Sequence, residues 1–186
     1  MDHLAPASFD DCIAALATGA APAGVAIVRL SGKRSLEIAR QLAELPEPMP
    51  VRHALLAQLA HPRSKRPLDE ALVLYFQAPA SFTGEDVVEL HCHGGIRHVE
   101  QVLEAVRDAG ARAAEPGEFS RRAVMLGRLS LERAEALLDL VNAETDSALS
   151  AARSQLMGSV GRAAEQNRGG GAGPSRRGRG LARLSG

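Results

Sequence analysis

Three stretches of this chain carry side chains that could do chemistry. In Val25-Ala-Ile-Val-Arg-Leu-Ser-Gly32 a single charge, Arg29, interrupts an otherwise apolar run. A guanidinium is seldom fully buried without an acceptor, because an unpaired charge in an apolar medium is costly. Arg29 therefore reads as a solvent-facing edge position, as half of a structural salt bridge, or as a cationic contact to a ligand. The second stretch, Pro79 to Gly95, sets Glu89, His91 and His93 at alternate positions, hence on one face of a strand. An H-x-H pair suits a metal but needs a third protein ligand, for which His98 and Glu89 are in reach. A strand-end histidine bonded to nearby backbone explains the pair equally, and no metal is assigned. Glu89 has another use: a carboxylate near a strand end clamps a flat amide or guanidine-like edge through two charge-assisted hydrogen bonds. The third stretch, Glu115 to Ser130, brings Arg121, Arg122 and Arg128 into a turn and short helix, either to hold an anion or to decorate a solvated helix face. None of these residues is assigned a catalytic role.

The elements that position them follow from apolar periodicity. Val25 to Leu30 reads as a buried strand entered through Gly24, then a turn at Ser31-Gly32 and a helix from about Ser35 to Leu45, stopped by Pro46, Pro48 and Pro50. Ala54 to Ala60 and Leu72 to Phe76 read as strands joined by the polar loop His61 to Pro67. Val87 to His93 is a further strand, followed after Gly94-Gly95 by a helix carrying Ile96, Val99, Leu103 and Val106, which Gly110 caps. Beyond Pro116-Gly117 strand patterns cease. From Ser130, an N-cap, to about Met157 the pattern is one long helix on which Leu131, Ala134, Leu138, Val141 and Thr145 share a face. The expectation is an α+β fold: a mixed sheet of about four or five strands with flanking helices, then the start of a helical domain.

The 186 residues are 45% hydrophobic, and the 22 basic side chains balance the 22 acidic ones. The balance is uneven along the chain. Sixteen basic and twenty-one acidic residues precede Arg162, and six Arg and one Glu follow from it, so the body carries −5 and the tail +5. That Gly/Arg tail has too little apolar surface to offset its ordering entropy and reads as disordered; such a tail either binds RNA phosphates or is simply solvated. No apolar run is long enough to span a membrane, and the N-terminus lacks the features of a signal peptide, so a cytoplasmic protein is expected. Cys12 and Cys92 form no C-x-x-C pair and read as small buried residues. Aromatic residues are too few for a base-stacking platform.

Together, Gly24-Val-Ala-Ile-Val-Arg-Leu-Ser-Gly32, Ser81-Phe-Thr-Gly-Glu-Asp-Val-Val-Glu-Leu90, His93-Gly-Gly95, Pro116-Gly-Glu-Phe-Ser120 and Leu131-Glu-Arg-Ala-Glu-Ala136 closely resemble the N-terminal part of the MnmE (TrmE) family of tRNA-modification GTPases. The resemblance covers about residues 10 to 160. It implies a tetrahydrofolate-binding and dimerisation domain over 1–125, related in fold to the folate domain of the glycine-cleavage aminomethyltransferase, and the opening of a helical domain over 126–161. The segment 162–186 remains as the basic tail. It further implies 5-formyl- or 5,10-methylene-tetrahydrofolate as cofactor, a homodimer, and work with the flavoprotein MnmG on the wobble uridine of tRNA. Carried over residue by residue, the family's folate contacts fall on Arg29, Glu89 and Arg128. The glycine-rich run before the first strand is thinned here to Thr18-Gly-Ala-Ala-Pro-Ala-Gly24. The pattern G-x-x-x-x-G-K-[ST] occurs nowhere, so GTP, potassium and magnesium belong to a GTPase domain these residues do not contain. The family's reactive C-terminal Cys is likewise not among them, and the abrupt end of the resemblance after Val160 is that of a truncated or frame-shifted reading. The chain alone is then not expected to be catalytic. An alternative reading is an RNA-associated adaptor in which the folate fold is vestigial and the Gly/Arg tail binds RNA.

Overall fold

Alternation of apolar and other residues along Ala23–Ser31 (β2) and Val87–Gly94 (β5) produces the two central strands of a six-stranded sheet. The computed structural model describes residues 9–19 and 22–169. The remaining strands are Ile13–Leu16 (β1), Leu55–Ala60 (β3), Pro67–Phe76 (β4) and Arg112–Ala113 (β6), and the order across the sheet is β3-β4-β5-β2-β1-β6. Every neighbouring pair is antiparallel except β1 with β6, which makes the sheet mixed as expected.

One face of the sheet is closed. Val28, Leu30, Val88, Leu90 and Val73 point into a core that helices α1 (Ser35–Leu42) and α2 (Ile96–Asp108) complete with Ile38, Leu42, Val102 and Val106. Each such side chain taken out of water contributes roughly 1.5–3 kcal/mol, the main force holding these layers together. Because strand side chains alternate, the intervening residues Val25, Arg29, Glu89, His91, Leu72 and Leu56 are sent to the other face. There Val25, Leu56 and Leu72 are exposed, so this face stays partly open.

The differences from the sequence expectation have local causes. The strands β1 and β6 escape a periodicity search because they are short and alanine-rich, with little intrinsic strand preference; partners impose them, Ile13 facing Ser31 and Leu16 facing Val28. β4 begins at Pro67 instead of Leu72, since a proline is tolerated as the first residue of a strand and the polar Asp69 and Glu70 hide the alternation. Helix α1 ends at Leu42, three residues early, where Ala43 turns extended ahead of the prolines.

The single long helix expected from Ser130 to Met157 is instead two, α4 (Leu131–Asn142) and α5 (Asp146–Gly169). Ser130 does cap the first: its Oγ accepts the Arg133 N–H at 3.3 Å. Thr145, expected on the apolar face of a continuous helix, is in fact a second cap, with Oγ1 accepting the Ala148 N–H at 3.2 Å. Side-chain oxygens compete with the helix for backbone donors, and here the competition breaks the run. α5 continues through Gly169, eight residues into the segment read as a tail, and 170–186 lies outside the described residues. The chain divides into two units after Ala134. Within the second, Ala136 and Ala152 are buried while Leu138, Val141 and Met157 are exposed. No helix among the described residues is long and apolar enough to cross a membrane.

Candidate functional site

The register of β2 against β5 sets Arg29 directly opposite Glu89 and Ile27 opposite His91. Arg29 donates to Glu89 Oε1 through Nε at 2.9 Å and through a terminal nitrogen at 2.8 Å. His91 Nε2 lies 3.1 Å from the other oxygen, Oε2. The three therefore form a row across the open face, with side-chain exposures of 26% for Arg29 and 14% for Glu89. An ionised carboxylate has about four lone-pair positions, so these contacts leave Glu89 acceptor capacity to spare.

Two aromatic rings frame Arg29. The guanidinium carbon is 5.5 Å from the ring centroid of Phe82 and 5.8 Å from that of Phe119, within the range of cation–π attraction. Phe119 comes from helix α3 (Glu118–Met125), and Phe82 from the loop between β4 and β5. That loop is tied inside itself: Ser81 Oγ donates to the Glu85 carbonyl at 2.5 Å and accepts the Gly84 N–H at 2.9 Å. Gly84 has φ +90°, and a Cβ there would stand 2.7 Å from Cγ of Arg128. The Arg128 stem thus lies over a position where only glycine fits, and its Nε donates to the Ser81 carbonyl at 3.3 Å. Of the three expected ligand contacts, Arg29 and Glu89 touch; Arg128 is held on the loop that carries Phe82, bonded to Ser81 and not to Glu89. Phe82 and Phe119 were within quoted motifs but carried no signal of their own, each being a lone large apolar residue in a polar turn.

Behind the loop lies a second ionic cluster. Arg122, one of three arginines read as anion holders or a solvated face, is neither, being 1% exposed. Its terminal nitrogens meet Asp11 at 2.6 Å, Glu118 at 3.2 Å and Glu85 at 3.2 Å, and its guanidinium stacks 4.3 Å from the ring centroid of Phe9. Ser31 Oγ donates to Glu85 Oε2 at 2.7 Å; its one proton being spent, Thr83 must donate the 2.7 Å bond to Ser31. The hydrogen bond from Arg112 and that from Arg122 hold the Glu118 carboxyl far down, at about 2. Burial pushes the Asp11 carboxyl up, but Arg112 and Arg122 outweigh it and keep it below its ordinary value. Arg121, by contrast, is exposed and pairs with Glu115 at 2.9 Å.

The expected histidine pair separates. His91 turns to Glu89, whereas His93, at the end of β5, places Nδ1 2.7 Å from Asp69. Beside His91, a shallow depression of about 180 Å³ continues the open face past Val25, Leu56 and Leu72. Both cysteines are buried, and burial pushes each thiol up to about 12, which excludes them as nucleophiles at neutral pH.

Comparison with known proteins matches residues 12–128 to the family described as the GTP-binding protein TrmE N-terminus. A protein of a Synechococcus species named tRNA modification GTPase MnmE is 47% identical over 162 residues, which is 85% of this chain and 35% of that protein. A protein of the same name from Halorhodospira halophila is 51% identical over 151 residues, 81% of this chain and 32% of the relative, and one from Symbiobacterium thermophilum is 47% identical over 156 residues. The chain spans about a third of the length of these curated relatives. The matched residues take in every strand of the sheet, the Arg29–Glu89 pair and both rings that frame it, and the chain belongs to the TrmE N-terminal family, as the N-terminal domain of an MnmE-type protein.

Proposed function

We propose that this chain is the folate-binding and dimerisation part of a tRNA wobble-uridine modification GTPase, working in the cytoplasm with a flavoprotein of the MnmG type. The observation that carries the reading is the half-open Arg29–Glu89 pair between Phe82 and Phe119. Its donor set fits a reduced folate, 5-formyl- or 5,10-methylene-tetrahydrofolate. The spare acceptor positions of Glu89 grip the planar amino-pyrimidinone edge of a pterin, while Arg29 holds that carboxylate in its orientation. Phe82 and Phe119 shield the pair from water. Arg128, fixed to the loop over Gly84, is a cationic donor for the folate's carbonyls or glutamyl tail. A bound reduced folate supplies a one-carbon unit; the residues named here bind and orient it.

The relatives' name supplies the modification of tRNA, and the exposed Val25, Leu56 and Leu72 on the open face support self-association, because an apolar patch of this kind seeks cover. Calorimetry of the chain with 5-formyl-tetrahydrofolate tests the reading. We expect binding, with no GTP hydrolysis from these 186 residues. Glu89→Gln keeps the shape but replaces an acceptor by an N–H donor, which lowers folate affinity roughly ten- to a hundredfold. Equal affinity of parent and variant refutes the clamp. Light scattering checks the dimer, and a monomer at tens of micromolar removes it.

A further inference from the structure

We propose that Asp69, His93 and His98 form a binding site for a divalent transition-metal ion, Zn²⁺ in the first instance, at the junction of β4, β5 and the first turn of α2. The inference stands apart from the folate reading and uses none of its residues.

The geometry is the basis. Asp69 is on β4, His93 ends β5 and His98 is the third residue of α2, so three separate elements each contribute one side chain. Asp69 Oδ1 is 2.7 Å from His93 Nδ1, and Oδ2 is 2.8 Å from His98 Nε2. One ligand atom from each of the three lies within 4.8 Å of the others. The two imidazole planes are nearly perpendicular, at 86°, with centroids 6.2 Å apart. Zinc bonds of about 2.0–2.2 Å in a tetrahedron hold neighbouring ligand atoms roughly 3.3 Å apart, so the carboxylate parts from each ring by about half an ångström while the two rings, which meet different oxygens of Asp69, converge within the 4.8 Å span of the set.

A second observation concerns His98. Its Nε2 is buried and, despite the short distance to Asp69, is not angled to make a hydrogen bond with it. A buried ring nitrogen this close to a carboxylate, yet turned off the hydrogen-bond line, has its in-plane position left for another partner. Asp69 itself is 5% exposed. Its Oδ2 also accepts the His93 backbone N–H at 2.9 Å and its Oδ1 the Glu70 N–H at 2.8 Å, which fix the carboxylate in place. His93 is 74% exposed, which gives it freedom to adjust and opens the fourth coordination position to solvent.

The chemistry of the set decides which ion. Two imidazoles and one carboxylate suit Zn²⁺, Co²⁺ or Fe²⁺ and are poor for Mg²⁺ or Ca²⁺, which want oxygen alone. The sequence pairs His91 with His93; the fold pairs His93 with His98 instead and supplies the acid from β4, a residue with no motif around it.

The test is titration of the full chain with Co²⁺ followed by its visible absorption, and with Zn²⁺ by calorimetry. One equivalent should bind, with the intense bands of a four-coordinate cobalt site. His93→Ala and His98→Ala each remove a ligand, and each should weaken binding by more than the roughly ten- to hundredfold that loss of an outer partner costs. His53→Ala, on an exposed turn, should change nothing. Zn²⁺ should also raise the melting temperature of the parent and not of His98→Ala, since binding that requires the fold stabilises it. Asp69→Asn serves as a third variant where it folds; the histidine variants decide the matter where it does not. Absence of binding, octahedral cobalt spectra, or binding that survives loss of both histidines overturns the site and leaves Asp69 as a hydrogen-bond acceptor for two rings.

Discussion

The molecule contains two arginine–carboxylate systems a loop apart, and they differ in how fully they are used. Around Arg122 the site is closed to solvent: the guanidinium is buried, three carboxylates share its terminal nitrogens, Ser31 donates to Glu85 and is itself held by Thr83, and Nε alone lacks an acceptor among the described residues. Around Arg29 the accounting is incomplete, with one carboxylate, one histidine and two rings on a face that solvent reaches. A buried charge needs its counter-charges in place, so the first system is committed to holding β2, the 81–86 loop and α3 together. The second can accept a further partner because it never left water completely. The difference teaches where to look for a ligand: at the arginine whose partners are too few for burial, not at the one with the most contacts.

The most severe way to break this comparison is Arg122→Met. It strands Glu85 without its cation and leaves Glu118 with Arg112 alone of its two close partners, and unpairing a buried ion costs about 3–5 kcal/mol. Urea denaturation measures it, and a loss below about 1 kcal/mol would place Arg122 in the same class as Arg29. Acid is the next lever. The Glu118 carboxyl titrates at about 2 in the fold against an ordinary 4.5, so the unfolded chain takes up its proton first. Its contribution, about 3 kcal/mol on the linkage relation, is complete above pH 4.5 and is lost as pH falls toward 2. Asp11 shifts in the same direction and adds to the loss. Melting temperature followed from pH 6 down through this window should fall in the parent.

Smaller in effect is Ser31→Ala, which leaves Glu85 short of a donor and Thr83 short of an acceptor in a buried place; about 1–3 kcal/mol is expected by denaturation. The smallest change in stability belongs to Arg29→Met. The pair is partly exposed, 26% for Arg29 and 14% for Glu89, and Glu89 keeps His91 beside it, so the cost should be about 1 kcal/mol. Folate affinity should nevertheless fall in this variant, since Glu89 loses the cation that orients it. A variant destabilised as much as Arg122→Met would show that Arg29 is structural.

The central part of the fold was legible in the sequence because its strands and helices bury clean apolar patterns: Val25 to Leu30, Val87 to His93, Ile96 to Val106. Arg29 and Glu89 were legible for the opposite reason, as charges inside such patterns. What escaped was set by pairing at a distance. Ile13–Leu16 has no preference strong enough to announce a strand and acquires one from β2. Arg122 looked like its neighbour Arg121, and nothing within a few residues of it says that Asp11 will arrive. Thr145 carried the hydrophobic period well enough to be counted as helix, whereas its hydroxyl was the more telling group. Phe82 and Phe119 come from turns, where periodicity has nothing to say.

Those long separations also set an order of events as the chain is made. Arg29 waits 60 residues for Glu89, and Asp11 waits 111 for Arg122. Contacts that close such large loops incur their entropy before any reward and are slow to form. During synthesis β1 can pair with β2 early, but its other edge stays bare until Arg112 and Ala113 emerge, and Asp11 gains Arg112 at that point and its buried partner Arg122 only once α3 follows. The first strand read by the ribosome is thus among the last parts to be secured. A nascent chain halted before β6 would carry an exposed strand edge and the carboxylates of Asp11 and Glu85 without Arg122, a state open to pairing with another chain.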